Sequence, residues 1–261
     1  MGKYQLDLVV RSVRTISSDT FLLELTMPGT GARLPEVQPG QFAEFLVKGS
    51  ETTFLRRPIS IHDVDYQNNA IYFLIRKAGA GTAKMSELKT GDTINVILPL
   101  GNGFDYATTM PKHPLLVGGG VGVAPLLLLG KAMKSAGIRP EFLFGGRGKD
   151  NLLRIDEYGK SGKVHVTTED GSCGQKGFVT DHTVLKEESF DCIYSCGPTP
   201  MMKAVASYAS EKGIPCQVSL EHKMACGIGA CLCCVEDTKD GNVCVCKEGP
   251  VFNTEKLLWQ N

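Results

Sequence analysis

Over its first hundred residues the chain alternates apolar and polar positions in short runs. These are Tyr4 to Val13, Thr20 to Leu25, Gln41 to Val47, Ala70 to Arg76 and Thr93 to Leu98. A period of two predicts strands that bury one face. Pro28-Gly29, Pro39-Gly40 and Gly91-Asp92 break the runs, and with Arg57 to Ser60 as a further strand they predict a six-stranded antiparallel barrel. A single helix, Thr82 to Leu88, interrupts it.

Beyond His113 the period changes. Strand, glycine loop and helix repeat: Leu115 to Val117 then Ala124 to Ala136, Glu141 to Phe144, Val164 to Thr168, Cys192 to Ser195 then Pro200 to Lys212, and Gln217 to Leu220. Strands alternating with helices predict a parallel α/β sheet. The fold class expected is therefore β plus α/β, divided as 1–104 (barrel), 105–220 (nucleotide-type α/β domain) and 221–261 (a small cysteine-rich domain).

Composition narrows the function classes. The 261 residues carry 28 Lys and Arg against 28 Asp and Glu, so no field favours nucleic acid or an anionic membrane. The opening Met-Gly-Lys-Tyr-Gln-Leu-Asp lacks an apolar signal core, and the apolar stretch Val121 to Leu129 is too short to span a bilayer. Six of the ten cysteines crowd into residues 226 to 246, which is not the spread of a secreted disulfide scaffold. A soluble cytoplasmic protein acting on small molecules or a protein partner is expected.

That cysteine run reads Cys226-Gly-Ile-Gly-Ala-Cys231-Leu-Cys233-Cys234, with Cys244 and Cys246 further on. C-x4-C-x2-C followed by a later cysteine is the ligand spacing of a plant-type [2Fe-2S] cluster. The fourth ligand is open between Cys244 and Cys246. Structural zinc is the alternative for four cysteines, although zinc modules more often use paired C-x2-C knuckles.

Two kinds of polar site precede it. In Arg56-Arg57-Pro58-Ile59-Ser60-Ile61, an Arg and a Ser on one strand face can grip a pyrophosphate and a flavin edge; a plain edge strand with solvated arginines would look the same. Ala78-Gly79-Ala80-Gly81-Thr82 then opens a helix whose first N–H groups suit a phosphate. In Val117-Gly118-Gly119-Gly120-Val121-Gly122-Val123-Ala124-Pro125, backbone free of Cβ atoms lets a dinucleotide lie close to the strand end. The G-x-G-x-x-G fingerprint fails there, because Val123 or Pro125 falls on its last position, and no Walker A pattern occurs. Cys196-Gly197-Pro198-Thr199-Pro200-Met201 forms a third glycine turn. No His neighbours Cys196 in sequence to activate it, so it reads as a small pocket-lining residue rather than a nucleophile.

In order and spacing, Arg57-x-x-Ser60, Gly81-Thr82, the Gly-rich turn ending Ala124-Pro125, and Cys196-Gly-Pro-x-Pro-Met201 resemble the ferredoxin-NADP reductase superfamily from about residue 4 to 220. With Glu221-His222-Lys223-Met224-Ala225-Cys226 and the cysteines after it, the chain resembles the family of electron-transfer subunits of dihydroorotate dehydrogenase B over nearly its whole length.

The resemblance implies FAD on the barrel, held by Arg57, Pro58, Ile59, Ser60, Leu74, Ile75 and Arg76, with Gly81 and Thr82 at its pyrophosphate. It implies a nicotinamide dinucleotide at Gly118, Gly119, Gly120, Gly122, Ala124, Pro125, Cys196, Gly197 and Pro198. It also favours Cys246 beside Cys226, Cys231 and Cys234 as cluster ligands, leaving Cys233 and Cys244 as small buried bystanders. NADP users of the superfamily place Ser and Arg after the third strand of the nucleotide domain. Thr167-Thr168-Glu169-Asp170 stands there instead, and its carboxylates favour NAD with Glu169 at the ribose, while Arg147 points the other way.

No acid-base residue for carbon chemistry is evident, so no catalytic side chain is assigned. The family implies a partner, an FMN-containing catalytic dihydroorotate dehydrogenase subunit, in a two-plus-two heterotetramer. Electrons would pass from FMN to [2Fe-2S], FAD and NAD+, in pyrimidine biosynthesis. Similar FAD and [2Fe-2S] subunits serve sulfhydrogenases and NADH-dependent ferredoxin:NADP oxidoreductases. A redox sensor would need an output element, and none is visible.

Overall fold

A computed structural model describes residues 2–29, 31–50 and 52–259. The first sheet contains β1 (Tyr4–Thr15), β2 (Thr20–Thr26), β3 (Phe42–Leu46), β4 (Arg57–Ser60), β5 (Asp63–Asp65), β6 (Ala70–Arg76) and β7 (Thr93–Leu100). Their order is β4-β3-β7-β1-β2-β6-β5, with every pairing antiparallel. The two edge strands, β4 and β5, are separated only by Ile61 and His62. Ile61 N–H donates to Gln41 O and His62 N–H to Tyr72 O, so one bent segment pairs with both ends of the sheet and closes it. Counted that way the barrel has the six strands its alternation predicts. Its interior holds Leu8, Leu23, Leu25, Phe45, Ile61, Phe73 and Val96, with Phe45 and Phe73 packed edge to face at 4.8 Å. Helix α1 (Ala80–Met85) starts two residues earlier and ends three earlier than the pattern predicts.

The second sheet contains β8 (Pro114–Gly119), β9 (Glu141–Gly146), β10 (Lys163–Thr168), β11 (Gln175–Lys176), β12 (Cys192–Cys196) and β13 (Cys216–Ser219). These six strands are parallel in the order β11-β10-β9-β8-β12-β13. Helices α2 (Ala124–Ser135), α3 (Ile155–Gly159), α4 (Val184–Glu187) and α5 (Thr199–Lys212) cover its faces. Chain order reverses between β8 and β12, and the glycine turns that follow these two strands flank that switch point. In open parallel sheets, ligands bind at this crevice.

The cysteine-rich segment forms the hairpin β14 (Val235–Thr238) and β15 (Gly241–Cys244), then the short helix α6 (Val245–Glu248). It ends in β16 (Val251–Asn253), which pairs antiparallel with β13 and so completes the edge of the second sheet. Asn102, just past β7, donates through Nδ2 to Lys247 O at 3.1 Å and Glu248 O at 3.0 Å. No helix among the described residues is long and apolar enough to cross a membrane.

Candidate functional site

A cleft of about 250 Å³ lies where the three regions meet. The barrel supplies Phe42, Pro58, Ile59, Ser60, Leu74, Ile75, Arg76, Ala78 and Thr82; the glycine turn supplies Val121 and Ala124; the segment leading to the cysteines supplies Leu220, Glu221, His222 and Met224, with Pro250. Seven of the nine residues expected at a flavin therefore share one wall. The other two sit beside it: a Cβ on Gly81 would stand 3.1 Å from Arg57 Cδ and from Thr53 Cγ2, a tight approach, so the glycine lets Arg57 pack close against the start of α1. Thr82 Oγ1 accepts the N–H groups of Ala78 at 2.9 Å and Gly79 at 3.2 Å, which fixes the turn that enters α1.

The dinucleotide candidates gather at the ends of β8 and β12. A Cβ on Gly122 would come within 2.4 Å of Gly197 Cα and 2.7 Å of Cys196 O, so the two turns touch backbone to backbone. A Cβ on Gly119 would meet Met201 Sδ at 2.7 Å. Gly120 takes φ 54° and Gly197 φ 157°, positive values that favour glycine. Pro125 lies in the first turn of α2. Cys196 is buried, and burial together with nearby Glu221 pushes its thiol well above the usual range, so it lacks the thiolate a nucleophile needs. Glu169 is exposed in the turn after β10, its N–H donating to Gly146 O at 3.0 Å, with Arg147 in the adjoining loop. It stands apart from the cleft lining, as do Gly118 to Gly120, Gly122, Pro125 and the Cys196 to Pro198 turn.

The cysteines form two close pairs. Cys226 meets the Cys231 thiol, and Cys246 N–H donates to Cys234 Sγ at 3.4 Å. Gly229 N–H reaches Cys246 Sγ at 3.1 Å, and Ala230 N–H reaches Cys226 Sγ at 3.3 Å, so one glycine-rich loop spans both pairs. Gly227 and Gly229 have φ of 67° and 84°, which curls the loop and turns its N–H groups inward. Burial opposes the Cys226 thiolate, yet the N–H groups of Ile228 and Cys231 outweigh it and draw the group down to about 6. Burial and the adjoining Cys234 push Cys246 up to about 12. Among the described residues no three His, Cys, Asp or Glu side chains converge on a single ion. Two thiol pairs under a ring of N–H donors fit a two-iron cluster, whose thiolates and sulfides accept such bonds.

Cys244 ends β15 opposite Val235, half-buried, with its N–H donating to Glu248 Oε2 at 3.0 Å. Cys233 is exposed, contrary to the buried bystander expected, because the chain turns outward through Leu232 at φ 58°. Phe42 and Met224 belong both to the cleft wall and to the apolar cluster that buries Cys234 and Cys246.

Sequence reasoning missed several neighbours. Glu221, His222, Met224 and Pro250 come from stretches that the β13–β16 edge brings to the barrel, where they meet Phe42 of β3. Glu44 is another: it is fully buried on β3, and neither carboxylate oxygen has a hydrogen-bond partner among the described residues. It packs against the cysteine loop at Gly227, where a Cβ would stand 2.6 Å from Glu44 Cγ. Burial pushes its carboxyl up to about 7, against the pull of Arg57 and Arg56. An apparently ordinary polar position in an alternating strand carries no signal of this.

Comparison with known proteins finds relatives along nearly the whole chain. Residues 221–258 match the iron-sulfur cluster binding domain of dihydroorotate dehydrogenase B, and residues 116–207 match the oxidoreductase NAD-binding domain. The chain is 40% identical over 256 residues to the dihydroorotate dehydrogenase B (NAD(+)) electron transfer subunit of Fusobacterium nucleatum, covering 94% of this chain and 95% of that one. It is 43% identical to the subunit of the same description from Listeria monocytogenes, covering 87% and 90%. A solved structure of NADH-dependent reduced ferredoxin-NADP oxidoreductase, determined for flavin-based electron bifurcation, superposes with a TM-score of 0.84 at 33% identity, over 99% of this chain and 92% of that one. The ferredoxin reductase of carbazole 1,9a-dioxygenase shares the fold, with a TM-score of 0.67 at 19% identity over 82% and 68%.

Proposed function

The chain belongs to the family of dihydroorotate dehydrogenase B electron-transfer subunits, and from that premise we propose that it carries electrons from an FMN-bearing, dihydroorotate-oxidising partner to NAD+. Its cofactors are FAD, a [2Fe-2S] cluster and NAD. FAD exchanges a hydride with nicotinamide and single electrons with the cluster, which lets it join a two-electron donor to a one-electron relay. Phe42 and Met224, which line the cleft and belong to the same apolar cluster as Cys234 and Cys246, carry this reading, because a flavin in the cleft would then lie near the cysteine loop.

On this reading the strand from Arg57 to Ser60 and the end of β6 hold the flavin, Gly81 and Thr82 face its pyrophosphate, and Gly118 to Pro125 with Cys196 to Pro198 receive the dinucleotide. Glu169 discriminates against a 2'-phosphate by charge. Cys226, Cys231, Cys234 and Cys246 ligate the cluster. Residues 1–104, 105–220 and 221–261 divide the work between FAD, NAD and iron, the complex holds two copies of each subunit, and it works in the cytoplasm in pyrimidine biosynthesis.

The test is reconstitution. Co-purified with its partner and given dihydroorotate and NAD+, the complex should form NADH, whereas this chain alone should only reduce dyes with NADH. Cys246→Ser should abolish the visible and electron paramagnetic resonance signals of the cluster while Cys244→Ser keeps them; the reverse result sinks the ligand assignment. The 0.84 TM-score to the ferredoxin-NADP oxidoreductase favours a second reading, a diaphorase subunit of that enzyme or of a sulfhydrogenase. A co-purifying partner inactive on dihydroorotate would select it.

A further inference from the structure

His62 is fully buried two residues beyond Ser60, in the bend that closes the barrel. Its Nδ1 lies 2.7 Å from the carbonyl oxygen of Ala124, and its Nε2 lies 3.2 Å from Arg154 Nη1. A carbonyl only accepts and a guanidinium only donates, so Nδ1 carries the proton and Nε2 offers its lone pair. The ring is held neutral in one tautomer. Burial first, then the charges of Arg154 and Lys131, keep it so by holding its pKa down to about 3, against the Ala124 bond.

Ala124 is the first residue of α2, at the end of the glycine turn, and it lines the same cleft as Ser60. The carbonyl before it, Val123 O, accepts Tyr158 Oη–H at 2.8 Å. Arg154 reaches His62 from a left-handed backbone, φ 55°, that a side chain other than glycine adopts at some expense. Lys131 of α2 adds bonds of 2.7 and 2.8 Å to Asp63, the residue after His62. Two consecutive carbonyls of the turn are thus gripped by side chains, and the grip on Ala124 comes from the bend that directly follows Ser60.

Hydride exchange needs the donor carbon and acceptor nitrogen within about 3.5 Å, and a misplacement of about 1 Å can slow a reaction a hundredfold. One reactant rests on the barrel and the other on the second sheet, so their separation depends on whatever crosses between those units. We propose that His62 is a positioning residue for hydride exchange, tying the flavin strand at Ser60 to the nicotinamide turn at Ala124. With NADH as donor, the C–H bond at nicotinamide C4 breaks and an N–H bond forms at flavin N5. One proton and two electrons move together, NADH becoming NAD+ and FAD becoming FADH−; His62 neither gains nor loses a proton.

The proposal rests on the flavin and dinucleotide reading of Ser60 and Ala124. It is tested on the full chain carrying FAD and cluster, by rapid mixing with NADH and with NADH deuterated at C4. His62→Leu should slow flavin reduction at saturating NADH by about tenfold or more. It should also weaken the long-wavelength charge-transfer band of the NADH–flavin complex and leave FAD content and the NADH dissociation constant within about twofold, since the fully buried His62 side chain lines neither binding surface. His62→Asn, whose amide can donate from the Nδ1 position, should recover most of the rate and the band. His62→Gln, whose amide sits at the Nε2 position, should not.

A His62→Leu protein with wild-type rate and band overturns the proposal, as does a defect confined to FAD content. If His62→Leu does not fold, the Asn and Gln pair decides, and equal rates for those two overturn it. Ser60→Ala reads the underlying site separately: if it leaves both the flavin spectrum and its reduction unchanged, the site reading falls, and the His62 proposal with it.

Discussion

Glu44 shows how far a single residue can depart from what its position in a pattern suggests. Between Ala43 and Phe45 it occupies the outward face of β3, yet the cysteine loop covers it, and its carboxylate finds no donor among the described residues. Arg56 reaches the Glu44 carbonyl at 3.2 Å and Asn95 instead of the carboxylate. The folded pKa, about 7, lies above the ordinary 4.5, so the folded chain holds this proton more tightly than the unfolded one. The stability this lends is complete below pH 4.5 and is lost as pH rises through about 7. The full swing corresponds to roughly 3 kcal/mol. Glu44→Gln should therefore melt close to the wild type at pH 5 and clearly above it at pH 8, in scans of the holoprotein at one fixed rate. A gap that does not change with pH would mean that the carboxyl is solvated or paired in solution.

At the scale of elements, α6 is too short to persist by itself, and it carries Cys246. Its last carbonyls, at Lys247 and Glu248, would lack partners without the Asn102 amide reaching across from the barrel. Gly101 makes the approach possible: a Cβ there would stand 2.5 Å from Pro250 Cδ and 2.6 Å from Gly249 O. Asn102→Ala removes two hydrogen bonds worth about 1 kcal/mol each. The variant should keep its FAD and lose its cluster several times faster to a chelator, followed by the bleaching of visible absorbance. Bleaching at the wild-type rate would show that the helix is held by other contacts. Nothing near Asn102 in sequence marks it, because its partners lie some 145 residues away.

For the whole molecule, the cysteine-rich segment is as much a part of the second sheet as an appendage to it. Gln217, Val218 and Ser219 of β13 pair with Asn253, Phe252 and Val251 of β16, and Phe42, Leu100, Cys234, Val245 and Phe252 share one apolar cluster with the sheet. A chain ending at residue 220 would expose the β13 edge and one side of that cluster. It should aggregate or melt well below the full chain in size-exclusion and thermal measurements, whereas the full chain carrying Cys226→Ser should stay monodisperse. A truncated protein as stable and as monodisperse as the full chain would make the segment a separable module.

What the sequence determined by itself was everything carried by short-range order. Alternation marks the barrel strands because a strand's two faces repeat every second residue. The glycine turns mark where backbone must approach backbone or ligand, as Gly122 does at Gly197. The spacing of Cys226, Cys231 and Cys234 is that of [2Fe-2S] ligands, because one loop can present them together. Tertiary structure alone decided what depends on contacts between distant segments: the closure of the barrel through Ile61 and His62, the burial of Glu44, the entry of β16 into the parallel sheet, the different surroundings of Cys244 and Cys246, and the grip of His62 on Ala124. Such contacts have no local period, because each is fixed by the packing of whole elements rather than by the residues next to it in the chain.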